Sequence, residues 1–248
     1  MLNQNEFIKK INELTEIAAD QENVILTSQL YELFPEIKGN EESLKIIKDY
    51  LKEKKIGLDE KLSFEEVATD EEKNYLDYYL EDLKEIVHLT KGEREGYMLS
   101  AMRGDEDAKA KIINDTLSNV IDIAKLYAGQ GVFLEDLIGE GNLALISVMD
   151  LIGSCENANE ADGLISSQIM NAMQDLIAES MDESKQEEKM LKSVNKVADA
   201  AKSLYEDLKR KVTVEELSKE SGISESAIKK ALKLTANKID EIETEEES

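Results

Sequence analysis

The chain lacks tryptophan altogether and has a single proline, a single cysteine and a single histidine in 248 residues. Each shortage removes a class of protein. One cysteine, Cys155, rules out an intrachain disulfide and fits a reducing cytosol. One histidine, His88, with no cysteine cluster beside it, leaves no ordinary metal-ligand set and no Ser-His-Asp constellation beyond a lone His. There is no Walker-type loop and no GxGxxG turn, so neither a nucleotide cradle nor an enzyme is expected, and no catalytic residue, cofactor or small-molecule substrate is assigned. The start, MLNQNEFIKK, has no apolar signal core, and no run approaches the roughly 18 apolar residues of a membrane span. A cytoplasmic protein without a membrane partner is expected.

What is present points to helices. Leu, Ile, Ala, Lys and Glu dominate, hydrophobic residues make up 41%, and one proline leaves little to interrupt helical runs. The fold class expected is all-α. Acidic residues outnumber basic ones 55 to 30, a formal charge of −25. Such a chain repels duplex DNA in general, because that affinity rests on neutralising phosphates. It favours a basic protein partner or a local basic patch.

Residues 1–60 read as a small helical module. Phe7, Ile8, Ile11, Leu14 and Ile17 recur at helical spacing. Thr27 is placed to cap a helix carrying Leu30, Leu33 and Phe34 that stops around Pro35, and Asn40 to cap a third with Leu44, Ile47, Tyr50 and Leu51. Lys55 to Leu58 reads as a short extended exit. Four pairs, Ser63 with Glu66, Thr69 with Glu72, Thr90 with Glu93 and Thr213 with Glu216, have the spacing of capping boxes.

Residues 61–190 form a central helical region. Ile113, Leu117, Val120, Ile121 and Ala124 mark one long amphipathic helix. If 134–152 is also one helix, Leu134, Leu137, Ile138, Gly141, Leu145, Val148 and Ile152 form its apolar stripe. Gly141, inside that stripe, is explained by close helix packing, since glycine costs about 1 kcal/mol against alanine in a helix. The other face holds Asp136, Glu140, Leu143 and Ser147, with Ile146 nearby: apolar residues among carboxylates, as a helix-to-helix interface needs.

The run Leu126 to Asp150, LYAGQGVFLEDLIGEGNLALISVMD, resembles the segment with which sigma-70 family factors grip RNA polymerase core. Gly104-Asp105, Ala108, Ile112-Ile113, Ile123-Ala124 and Tyr127 fall in the same register, and Tyr79-Leu80 and Leu89-Thr90 with Glu93 match further upstream. The resemblance implies a docking face of Asp136, Ile138, Glu140, Asn142, Leu143, Ile146 and Ser147 against the coiled coil of the polymerase clamp. It also implies that residues 1–60 resemble the acidic N-terminal module of primary-type factors. The match is uneven. The family's Asn-Leu-Arg-Leu-Val is Thr116-Leu117-Ser118-Asn119-Val120 here. Its aromatic, basic promoter-opening stretch is LIGSCENANEADGLISSQIMNAMQDLIAES, with no aromatic, Lys or Arg; the family's tandem tryptophans fall near Ser167 and Gln168.

Residues 191–238 read as a tri-helical unit. From Ala200 to Lys238 nine basic and six acidic residues leave a net of +3. A helix from Thr213, a turn at Gly222-Ile223-Ser224 and a helix from Glu225 to Leu234 fit a helix-turn-helix, and the unit resembles the family's third region, which contacts DNA. Lys229, Lys230 and Lys233 are candidate phosphate contacts, although no Arg on that helix suits base reading. Promoter DNA is therefore a weak expected partner; packing or protein contact explains the unit equally well. The stretch 239–248 reads as a disordered acidic tail, and the family's fourth region is expected to be missing. The function expected is docking on polymerase core, as a divergent sigma factor or a sigma-derived regulator. The alternatives are a helix-turn-helix DNA binder acting without polymerase and a structural interaction module.

Overall fold

Local capping decides where most helices begin, and tertiary contacts decide where the sequence pattern was silent. The computed structural model describes residues 4–243, and their regular structure is almost wholly helical. The chain divides into two compact units at residues 180 and 181.

The first unit opens with α1 (Gln4–Asp20), β1 (Val24–Ile25), α2 (Thr27–Leu33), a 3-10 turn (Pro35–Ile37), α3 (Glu41–Glu53) and β2 (Gly57–Leu58). The two short strands pair in parallel, Val24 beside Gly57 and Ile25 beside Leu58. Leu14, Ile25, Leu30, Phe34 and Leu51 form the core between them. Asn40 caps α3 as its sequence suggests, accepting from the Ser43 N–H at 3.1 Å. Thr27 does not cap α2. It is the first helical residue, and both its N–H (2.7 Å) and its hydroxyl (2.6 Å) donate to Asp59, the residue that follows β2. A carboxylate 32 positions away supplies the cap, which local spacing cannot reveal.

Next come α4 (Phe64–Val67), α5 (Asp70–Leu83), α6 (Lys91–Ala101), α7 (Glu106–Leu126), α8 (Leu134–Val148), a 3-10 turn (Ile152–Ser154) and α9 (Ala158–Leu208), which crosses the division between the units. Capping boxes start α4, α5 and α6 at the predicted pairs. Helix α6 packs on α7, and α7 on α8. Arg94 on α6 joins three helices. Its guanidinium donates to Asp115 and Thr116 on α7 and, at 2.8 and 3.2 Å, to Asp162 on α9. Burial works against the Arg94 charge, but its hydrogen bonds to the carboxylates of Asp162 and Asp115 raise its pKa overall.

The predicted stripe of α8 is buried: Leu134, Leu137, Ile138, Leu145, Val148 and Ile152 all lie inside. The helix ends at Val148, earlier than the pattern allowed, and Ile152 reaches the core from the 3-10 turn. At Gly141 side chains of both α7 and α9 press against α8. A Cβ there would meet the Val120 Cγ1 at 2.7 Å and would strike the Met173 Cε.

The second unit holds the end of α9, α10 (Val214–Ser221) and α11 (Glu225–Leu234) around Val197, Ala201, Leu217, Ile228 and Leu232. The start of the expected tail is ordered. Ile239 and Ile242 are buried, and residues 241–243 pair with Val212 through hydrogen bonds of 2.9 Å in each direction. Two isoleucines three apart in an acidic string carry enough apolar surface to hold it. The remainder of that tail, 244–248, lies outside the described residues.

Gly141→Ala should lower stability by about 1 kcal/mol, the overpacking cost exceeding the gain in helix propensity. Gly139→Ala, with nothing within 4 Å of its Cβ, should leave it unchanged or raised. Urea unfolding of the two variants side by side checks this; equal midpoints would contradict the close-packing account.

Candidate functional site

Helix α8 is held at its start by a residue from another helix. Its N-cap position is Phe133, which offers no side-chain acceptor. The carboxylate of Glu72, buried to 6% exposure, does this work instead. Its Oε1 accepts from the Leu134 N–H at 3.1 Å, while Oε2 accepts from the Thr69 N–H (2.8 Å) and hydroxyl (3.0 Å) to close the capping box of α5. One carboxylate thus caps two helices, and both N-terminal dipoles favour its charge.

With one side of α8 buried, the other is presented outward. Asp136, Leu143, Ile146 and Ser147 are exposed, Leu143 at 61% and Ile146 at 57%, and Glu140 is half-buried beside them. Ser147 donates its hydroxyl to the Leu143 carbonyl at 2.8 Å, so it adds little free polarity to the face. These five of the seven residues expected to make the docking face share one side of the helix.

Ile138 does not belong to it: its side chain is wholly buried. Its place in the apolar stripe and its place on the contact face were incompatible readings, and packing decides between them. Asn142 is half-buried and donates its amide to the Tyr79 hydroxyl at 2.9 Å, with Oδ1 buried and unpartnered. It ties α8 to α5, where Tyr79 stacks on Tyr75 at 5.9 Å between ring centres. Burial raises the Tyr75 pKa, and the carboxylates of Glu135 and Asp136 add to the effect.

The sequence reading missed Phe133, 60% exposed at the helix start, and Leu151, 55% exposed beyond its end. Both extend the apolar residues of the face along the helix axis. Their signal was available: each is a large apolar residue outside the buried stripe. Tyr127, counted in the resemblance, is buried; it accepts a hydrogen bond from the Gln174 amide at 3.0 Å and carries the Lys61 ammonium 5.8 Å from its ring centre.

In the second unit, Gly222 ends α10 in the left-handed conformation at φ 69°. The Ser224 hydroxyl then caps α11. Lys229, Lys230 and Lys233 are all exposed on α11, within one turn of each other, and none is in an ion pair with a described residue. Arg210 pairs with Glu216, the capping-box residue of α10.

Among the described residues no group of three or more His, Cys, Asp or Glu could hold a metal, and no helix is long and apolar enough to cross a membrane.

Residues 192–239 match the family model for Sigma-70 region 3. The chain is also similar to the RNA polymerase sigma factor SigA of Bacillus sp, at 26% identity over 156 residues that make up 63% of this chain and 41% of that protein. SigA of Listeria monocytogenes and SigA of Listeria innocua match with the same identity and coverage. The chain spans about two fifths of the length of these relatives.

The Glu216 carboxyl titrates at about 2, held down by the Arg210 side chain and the Thr213 backbone. An unfolded glutamate titrates near ~4.3. Because the folded value is the lower one, the stabilisation is present above pH ~4 and is lost as the pH falls toward 2. Glu216→Gln should flatten that acid dependence in the second unit, followed by amide NMR signals of α10 in the full chain; an unchanged profile would contradict it.

Proposed function

We propose that this chain is a divergent member of the sigma-70 family and acts in transcription by docking on RNA polymerase core through the exposed side of α8; the match of 192–239 to Sigma-70 region 3 and the similarity to SigA support the reading. The observation that carries the reading is one helix face on which two large exposed aliphatic side chains, Leu143 and Ile146, follow the carboxylates of Asp136 and Glu140 along the helix. Isolated exposed leucines are common on any surface. Here the pair sits on a helix fixed by a buried stripe, by the Glu72 cap and by the Asn142–Tyr79 bond, so it is presented rigidly. Rigid presentation reduces the ordering cost of association. The partner surface is a basic coiled coil of the polymerase clamp: aliphatic contact supplies affinity, and the carboxylates supply orientation and rate. The mechanism is docking, with no bond made or broken.

The stretch 151–180 favours a regulator that competes for polymerase over a factor that opens promoters unaided. It contains neither an aromatic residue nor Lys or Arg, and single strands are held by stacking platforms and cationic contacts. A second reading rests on α11. The exposed Lys229, Lys230 and Lys233, without an ion-pair partner among the described residues, make it the place for weak, sequence-independent phosphate contact.

A triple variant, Asp136→Lys, Glu140→Lys, Leu143→Asp, should bind polymerase core at least about a hundredfold more weakly than the wild type, about 2.7 kcal/mol. Ile138→Ala should instead cost about 2–5 kcal/mol of folding stability and leave the affinity of the folded protein near wild type. Titration of labelled core with each protein, beside denaturant unfolding, separates the two effects. Wild-type affinity in the triple variant would overturn the reading.

A further inference from the structure

The outward side of α8 does not end at its own edge. Two depressions lie along α8, one of about 320 Å³ against the first half of α9 and one of about 570 Å³ between the start of α8, Tyr75 of α5 and residues 131–133, and they share Glu140 and Leu176 in their walls. They make one groove that follows α8 from Phe133 to Leu151, alongside a helix about 22 Å long. Its middle is roomy because Ala144 and Ala172 both line it, with Leu176 and Val148 giving an apolar floor. Carboxylates rise on both sides: Glu135, Asp136 and Glu140 from α8, Asp175 and Glu179 from α9. Neither Lys nor Arg lines any of it.

We infer that this groove is a docking slot for a cationic amphipathic helix of a protein partner, and that the α9 wall of Asp175, Leu176 and Glu179 is half of the site. The inference rests on the reading of α8 as the polymerase-binding element in so far as that partner is polymerase core. The shape takes a helix: aliphatic side chains of the incoming segment fill the space over Ala144, Ala172 and Leu176, as in other helix-in-groove recognition. Charge selects its sign, since five carboxylates on two walls leave lysine or arginine as the flanking residues that do not cost repulsion. A nucleic acid does not fit, because its phosphates would face these five carboxylates with no Lys or Arg lining the groove, and the two rings that do line it, Tyr75 and Phe133, stand beside Glu135 and Asp136. The absence of basic and aromatic residues along this part of α9 then has a positive meaning: the wall is built for protein.

The test measures binding of polymerase core to the wild type, to an Asp175→Lys, Glu179→Lys variant and to the α8 triple variant. Asn171, exposed on the groove, is replaced by benzoylphenylalanine in a parallel crosslinking arm with core and with single-stranded DNA. The α9 variant should bind core at least about tenfold more weakly with unchanged helical circular dichroism, and position 171 should crosslink to protein. If the α9 variant binds as wild type while the α8 variant does not, the slot is overturned and the α8 reading stands. Crosslinking to DNA alone also overturns the slot. If the wild type does not bind core, the α8 reading falls and the slot is judged with an 18-residue helical peptide of leucine and lysine. Peptide binding lost in the α9 variant upholds the slot, and no peptide binding overturns it.

Discussion

The approach of α8 to its neighbours at Gly141 is the contact on which the first unit's surface depends. Without a Cβ, the helix backbone lies against Val120 of α7 and Met173 of α9. That closeness buries Leu137, Ile138, Leu145 and Val148 together. A helix so committed on one side has its opposite side determined, and the exposed residues are those left over at 100° per residue. Glu72 fixes the other coordinate, where the helix starts, by capping α8 with a carboxylate that already caps α5. The placement of Leu143 and Ile146 is thus a consequence of packing elsewhere.

Charge is arranged on the same framework. The chain's excess of 25 negative charges is not spread evenly. In the first unit carboxylates flank the apolar residues of α8 and the facing wall of α9, a combination that excludes phosphate and favours a basic protein surface. In the second unit the positive residues Lys229, Lys230 and Lys233 gather on the last helix of the helix-turn-helix, which Gly222 and the Ser224 cap set in place. Each unit therefore carries a patch of its own sign, and in the first the charge flanks the exposed aliphatic side chains Leu143 and Ile146.

Much of this was legible in the sequence, and the failures have physical causes. Capping pairs at spacing three marked the starts of α4, α5, α6 and α10, because both partners lie in the same few residues. The apolar stripe of α8 was read correctly, as was α11 from Glu225 to Leu234, since periodicity is a local property. What escaped were contacts between distant parts of the chain. Asp59 replaced Thr27 as the cap of α2, Glu72 took a second helix, and Arg94 joined α6 to α7 and α9. Ile138 was placed on the candidate face by resemblance although its own periodicity put it inside. Ile239 and Ile242 were lost in an acidic tail because two buried residues are too few to make a pattern. The groove along α9 could not be seen at all from one helix's spacing, since it exists only where two helices face each other.

The central claim is that α8 is the element that meets polymerase. Amide hydrogen exchange of the full chain, with and without polymerase core, tests it most directly. The account predicts added protection concentrated in residues 133–151, with none required in 225–234. Protection confined to the second unit, or none anywhere at saturating core, would contradict it.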